Sequence, residues 1–536
     1  MNKNLKKAFP FLAVGAVFLI LLVLNLFFQD HWLDSDMAAE MMFSKLLGEE
    51  NRFIASPNWY YSTEFRVLYT QLIMVPLFKM LTSWHIIRTI TNIVFYIVMF
   101  LSYLYAVKPL GLKRNTKILS GLILYLPFSE TMAQHMQIGN TYMSHVIILF
   151  FFFGLYLRIV TQKECKGIKK NMRLLFFMGL ALVCGMSGVR YLFTMQCPLM
   201  LASLLYLMKS EQFQNFRKKP SRDTFVKIFK GEQIRLFMYS ILGGIGAVAG
   251  YGVNVLFISK KFVFQTYGAT NFISIYYGEL FDRLQDAIGT LLMLFGYIPD
   301  KGVLSLRGLI SVISFVLVGC FVYVIRKTLK REQGIRYFWT FFTVCAFFLN
   351  VFVFVFTTST MVSRYYITIL IFAIPVIALY LEKEPYLVDR VIFIAIIAGC
   401  LSLCTVKTVY SMMTVDKNAE RKQVVEYLEN EGYHFGFAIF ENANILTELS
   451  NGEIEVGNVW DPVKLDYFKW SSPMKYYEEG YAKGEVFLLL SEEECAEYEG
   501  AKALSQERIT YRENGFVVFV FDNLEELLSC RESEEY

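Results

Sequence analysis

Residues 31–40 read HWLDSDMAAE and follow directly on an apolar run, FLAVGAVFLILLVLNLFF at 11–28, long enough to cross a bilayer. Asp34, Asp36 and Glu40 therefore stand where the chain leaves hydrocarbon. Carboxylates beside lipid are costly to place, so the stretch is either a helix start in water or a working site. As a helix start, Asp34 or Ser35 is the cap, Ala38, Met42 and Leu46 line one side, and Asp36 and Glu40 share a face at i, i+4. Capping and dipole complementarity are worth about 0.5–2 kcal/mol. As a working site, Asp34 and Asp36 could bind a divalent cation, Mg or Mn, through hard oxygen ligands, or take a proton from an attacking hydroxyl.

The chain around this stretch is 55% apolar and 18% charged, with 50 Phe and 33 Tyr among 536 residues. That is the profile of an α-helical polytopic membrane protein. Residues 411–536 hold 27 Asp/Glu and 11 Lys/Arg, a balance of −16, which leaves +21 for 1–410 out of the total of +5. A basic membrane part at 1–410 thus precedes an acidic soluble region at 411–536. The nine Cys include no CxxC pair, so neither a zinc site nor a redox motif is indicated, and no nucleic-acid partner is expected.

The N-terminus has a basic head, Lys3, Lys6 and Lys7, and no small-x-small cleavage site; it reads as a retained first span with its start in the cytoplasm. Basic loops at 108–117, 158–173, 209–235 and 326–336 are placed inside by the same rule. Between them lie paired apolar runs at 118–134 with 141–157, 174–188 with 191–208, 236–258 with 302–325, and 337–356 with 365–381. A run at 86–107 precedes them and one at 391–410 comes after. The short run at 67–81 contains Pro76 and Lys79 and reads as an interfacial helix. The sum is about eleven spans in a multi-pass cell-membrane protein, with the C-terminal region extracytoplasmic.

This topology gathers the polar residues of interest on the outer face. Loop 29–85 carries the acids and SPNWYYSTEFR (56–66). There Trp59, Tyr60 and Tyr61 form either an aromatic belt or a sugar-stacking surface, with Glu64 and Arg66 as hydrogen-bonding or phosphate groups. Loop 259–301 opens on Lys260 and Lys261, either interfacial lysines or anchors for an anionic donor, and holds a short run at 287–298 read as another interfacial helix. Arg190 and Arg364 are lone cations at outer helix ends; against snorkelling, an always-charged fork there suits a phosphate. Glu130, at the outer end of its span, is a functional candidate by position and a possible metal ligand. His135 and His145 are possible ligands too, although isolated histidines are more often simply hydrogen-bonded.

The region 411–536 alternates patterns: helix 418–430, strand 435–440, helix 442–450, strands 453–459 and 485–490, helix 491–498 and a hairpin at 508–520 turning on Glu513-Asn514-Gly515. It reads as a small α/β domain without nucleotide-binding glycines or metal spacing, suited to an accessory or recognition role.

An acidic motif just after the first span, followed by interfacial helices, resembles the GT-C superfamily of membrane glycosyltransferases. Asp34-Ser35-Asp36 with Ala38, Ala39, Leu46 and Leu47 is similar to the Asp-Glu-Ala…Leu-Leu opening of bacterial members. The long outer loop after span seven, the outer Arg364 and the outward soluble tail also fit. The pattern departs at the second acid, which is Met37 or Ser35 here, and the Trp-Trp-Asp motif of oligosaccharyltransferases is absent, which argues against protein N-glycosylation. The resemblance implies a polyprenyl-phosphate-linked sugar as donor and a hydroxyl acceptor on a cell-envelope glycan, lipid or protein. It implies a hexosyl- or pentosyltransferase that inverts the anomeric centre, with Asp34 or Asp36 as base or metal carboxylate. The rival readings are a transporter or flippase for a lipid-linked glycan, which calls for mid-membrane charges and an internal repeat, and a non-catalytic assembly protein of the envelope.

Overall fold

The first apolar run forms helix α1 (Lys3–Phe27). After a single 3-10 turn the acidic stretch begins helix α2 (Ser35–Glu49). Asp34 has extended backbone and accepts from the Met37 amide at 2.8 Å, which is how an aspartate caps the first turn. The run expected at the interface is helix α3 (Gln71–Phe78), and the next membrane helix is α4 (Trp84–Val107). The computed structural model describes residues 3–161, 168–265, 271–274, 279–299, 302 and 304–531. The remaining parts of loops 158–173 and 259–301 lie outside the described residues.

Among the described residues, eight helices are long and apolar enough to cross a membrane, and nine if the pair Ser363–Leu370 and Ala373–Lys383, bent by 45°, is counted as one broken span. The chain is a multi-pass membrane protein. Freed backbone at the bend has partners: the Phe372 carbonyl accepts from Trp339 Nε1 at 2.9 Å and from Thr343 Oγ1 at 3.3 Å, as a broken helix in lipid requires. Two of the runs read as spans fall outside this count. Helix Ile168–Met186 starts on Lys169, Lys170 and Arg173. The run 118–134 is broken: helix Arg114–Gly121 passes into a 3-10 turn ending at Tyr125, and Leu126 is extended. Pro127 is the cause, because its ring excludes the helical conformation for the residue before it. Past the break, Glu130–Ile138 forms a short helix and a π-turn that carry Gln134 to Asp34. The run at 287–298 belongs to a longer helix, Glu279–Leu294.

Helices Ile168–Met186 and Glu232–Val253 cross with backbones in contact. A Cβ on Gly185 would lie 1.9 Å from the Ala247 carbonyl oxygen, and one on Gly250 1.9 Å from that of Leu182. Only glycine permits this approach, the usual means of joining helices in lipid.

Strands β1 (Trp59–Tyr61), β2 (Val263–Phe264), β3 (Phe435–Ile439), β4 (Glu455–Asp461), β5 (Asp466–Tyr467), β6 (Ser472–Pro473), β7 (Val486–Ser491), β8 (Ile509–Glu513) and β9 (Phe516–Phe521) form two sheets. The larger has the order β5-β4-β3-β7-β9-β8, with β3 parallel to β4 and β7 and the rest antiparallel. Its β8–β9 hairpin turns on Asn514 and Gly515, both at positive φ, the type I′ geometry expected of Asn-Gly. FGFAI and VFLLL are apolar throughout because both faces are covered. On one face Phe487 and Val518 meet Val424, Leu428 and Leu446 of the neighbouring helices. On the other, Phe437, Leu488 and Phe519 share a core with Met41, Trp59 and Trp84. The smaller sheet, β2-β1-β6, pairs one strand from each long loop with one from the C-terminal region. Segments 29–85, 259–265 and 411–531 therefore stack at the same end of the bundle.

Candidate active site

Asp36 lies one turn before Glu40 on α2, and both line a cleft of about 540 Å³ with Glu64, Arg66, Tyr69 and Ser471. Asp36 Oδ2 is 3.2 Å from Nη1 of Arg364, so the acid of the first loop and the distant arginine form one ion pair. Asp34, beside them, accepts from Gln134 Nε2 at 2.8 Å in addition to its capping bond. Burial, and after it the negative charge of Asp36, pushes the Asp34 carboxyl up to about 6. Glu130 faces Lys417 at 3.5 Å, and Thr131 hydrogen-bonds Ser363 at 2.9 Å, next to Arg364.

A second network forms the inner wall. Glu40, 6% exposed, accepts from Arg66 Nη1 at 3.0 Å, Tyr69 Oη at 2.6 Å and Thr70 Oγ1 at 3.2 Å. Burial outweighs these donors and pushes its carboxyl up to about 7. Glu64 is treated oppositely: burial would raise it, but Arg190, His145 and Arg66 hold it down at about 2. Arg190 Nε donates to Glu64 and its Nη1 to Tyr142 Oη at 3.0 Å. The Arg190 guanidinium also lies 5.8 Å from the ring of Tyr365, the neighbour of Arg364, which joins the two networks.

Strand alternation divides the aromatic run. Trp59 and Tyr61 line the cleft while packing on Phe43, whereas Tyr60 turns to Tyr477, with ring centroids 5.7 Å apart. Lys260 and Lys261 are exposed and do not line the cleft. The histidines part as well: His135 Nδ1 meets Thr141 Oγ1 at 2.8 Å, while His145 Nδ1 meets Tyr191 Oη at 2.7 Å and its Nε2 lies 3.8 Å from Glu64. Among the described residues, no three His, Cys, Asp or Glu side chains are grouped to hold a metal ion. A divalent cation at Asp34 and Asp36 would have to displace Gln134 and Arg364.

Three participants escape the sequence reading. Tyr69 and Gln134 carry no motif. Arg88, in the first turns of α4, is 1% exposed and bound to Glu448 of the C-terminal region at 2.6 Å; its signal was an ionisable residue within a membrane helix.

No protein-family model matches the chain, and no curated protein matches it. Solved structures do. ArnT from Cupriavidus metallidurans bound to undecaprenyl phosphate aligns over 98% of this chain and 99% of its own, at 10% identity and a TM-score of 0.56. Its fold is that of the GT-C glycosyltransferases. The apo state of ArnT aligns over 99% and 100%, at 8% identity and a TM-score of 0.42. In this GT-C fold the match runs through the C-terminal region as well as the membrane helices.

Proposed function

We propose that the protein is a membrane glycosyltransferase that moves a sugar from a polyprenyl-phosphate donor to a hydroxyl acceptor on the extracytoplasmic face. The observation that carries this reading is the ion pair that joins Asp36, on the wall of the cleft, to Arg364 in a GT-C fold. The likeness to a structure of ArnT bound to undecaprenyl phosphate supports the donor class. The positive-inside distribution supports the orientation.

In this reading the lipid chain of the donor enters an apolar hollow of about 720 Å³. Phe128 and Met132, which flank Glu130 in the chain, line it with Phe295, Ile371, Phe393 and Leu401. The donor phosphate then takes the guanidinium of Arg364, whose fork fits phosphate oxygens. That exchange frees the Asp36 carboxylate from its cation partner. Asp36 accepts the proton of the acceptor hydroxyl, the hydroxyl oxygen bonds to the anomeric carbon, and the bond from that carbon to the phosphate oxygen breaks. Arg364 stabilises the charge that develops on the departing phosphate. Donor binding and release of Asp36 from Arg364 are thus one event.

Undecaprenyl phosphate binding by the purified protein tests the arrangement. Arg364→Met is expected to weaken it by roughly tenfold to a hundredfold, as loss of a charge-assisted pair does. Equal binding by the variant and the parent protein would remove Arg364 from the phosphate site.

A further inference from the structure

The C-terminal region makes a series of hydrogen bonds that converge on the backbone of one short stretch, residues 30–37. Asn418 Nδ2 donates to the carbonyls of Asp30 at 2.8 Å and Leu33 at 3.0 Å. The Lys417 amide donates to His31 at 2.9 Å, and Trp32 Nε1 donates in return to the Val415 carbonyl at 3.1 Å. Asn444 Nδ2 lies 3.4 Å from the Ser35 carbonyl. The last contact is indirect. Arg88 Nη2 donates to the Met37 carbonyl at 3.0 Å, and Glu448 grips the same guanidinium at 2.8 and 2.6 Å. Asn418, Asn444 and Arg88 are each no more than 1% exposed, so water cannot take over these bonds.

The carbonyls engaged belong to Asp30, His31, Leu33, Ser35 and Met37, on either side of the two aspartates. A module that only recognised an acceptor would need no such grip, and would be expected on a free linker. Here it fixes the backbone from which Asp34 and Asp36 project. The same region also caps the membrane helix that carries Arg88: the Trp84 amide donates to Asn451 Oδ1 at 3.0 Å.

We infer that the C-terminal region is a clamp that sets the position of the acidic stretch, with Asn418, Asn444 and the Arg88–Glu448 pair as positioning residues for the transfer. The inference rests on the transferase reading for its activity readout, but not for its structural one. Displacing a reacting group by about 1 Å costs on the order of a hundredfold in rate, so modest loosening of the clamp is enough to register.

The test uses the full chain in lipid nanodiscs, with two variants. Asn444→Ala removes one grip. The double substitution R88M/E448M replaces the buried ion pair by apolar side chains, an exchange that buried pairs often tolerate, and so guards against simple misfolding. Both are expected to speed hydrogen exchange at the amides of 31–40 while leaving strands β3, β7 and β9 protected. Surface-glycan transfer in cells is expected to fall by roughly tenfold to a hundredfold, with undecaprenyl phosphate binding held to within about twofold, the signature of lost turnover rather than lost binding. Glu448→Asp, which keeps the charge, is expected to recover part of the transfer. Unchanged exchange at 31–40 overturns the inference. So does exchange that rises across the whole chain, because the contacts would then hold the fold rather than the stretch. If D34N/D36N leaves transfer intact while the clamp variants still loosen 31–40, the transferase reading fails and the positioning inference stands.

Discussion

Arg364 and Asp36 are 328 residues apart in the chain and 3.2 Å apart in space. The pair joins the first loop to the 3-10 turn that opens the bent helix, and on the proposed mechanism it is a latch that the donor phosphate opens. Arg364→Lys keeps a charge but loses the planar fork. Initial transfer rates in membranes, normalised to protein level, are expected to fall by about 10²–10³ for Arg364→Ala, the usual cost of losing a charge-stabilising donor, and by less for Arg364→Lys.

Glu40 gives the protein a pH-dependent stability. Tyr69 Oη lies 2.6 Å from both Glu40 Oε1 and the Thr141 carbonyl, yet it has one proton to give. A proton on Glu40 completes the set: Glu40 donates to Tyr69 and Tyr69 donates to Thr141. Burial pushes the Glu40 carboxyl from 4.5 to about 7, so the folded state binds that proton more tightly than the unfolded one. Its contribution is complete below pH 4.5 and is lost as pH rises through 7. Relative to Glu40→Gln, the parent protein is expected to lose stability in thermal unfolding in detergent from about pH 5 to about pH 8. The comparison isolates Glu40, because in both proteins Asp34, pushed up to about 6, acts in the same direction and His135, pushed down to about 3 by burial, in the opposite one.

Glu64, paired with Arg190, acts with the opposite sign. Glu64 is held at about 2 against an ordinary 4.5, so its contribution is present above 4.5 and is lost as pH falls towards 2. Arg190→Met leaves Glu64 buried without its main cation and is expected to cost about 3–5 kcal/mol. The double substitution E64Q/R190M is expected to recover much of that loss, as measured by denaturant titration in detergent.

The crossing at Gly185 and Gly250 has no slack, since a Cβ at either would lie 1.9 Å from a carbonyl oxygen. Gly250→Leu is expected to prevent accumulation of folded protein, and Gly250→Ala to lower the unfolding temperature by an amount reflecting about 1–3 kcal/mol of overpacking. Gly252, whose added Cβ meets nothing within 4 Å, serves as the control. Purified yield and thermal unfolding check all three.

Much of this was legible in the sequence for physical reasons. Continuous apolar runs report membrane helices because lipid demands them, and the strands and helices of 411–536 follow their periods and the Asn-Gly turn closely. The gathering of polar residues at one end followed from the positions of the lysine- and arginine-rich loops. Hydropathy alone missed the break at Pro127, which lies within an apolar run and brings Gln134 to Asp34. The expectation of an accessory C-terminal domain did not anticipate Asn418, Asn444 or Glu448, because their partners are backbone carbonyls, which no side-chain pattern announces. Tyr60 was grouped with its neighbours because a short strand, with its alternation, is hidden inside an aromatic run. Lys260 and Lys261 are exposed, and it is the chain after them that turns into β2 and pairs with β1.

The most direct test is the double substitution D34N/D36N, assayed in cells for the surface glycan at unchanged protein level. Asparagine preserves shape at both positions and keeps one acceptor oxygen, for the Met37 amide at 34 and for Arg364 at 36, but it carries no charge and accepts no proton from a hydroxyl. The glycan is expected to be lost while the protein still accumulates and still binds undecaprenyl phosphate. Full glycan at full protein level would contradict it.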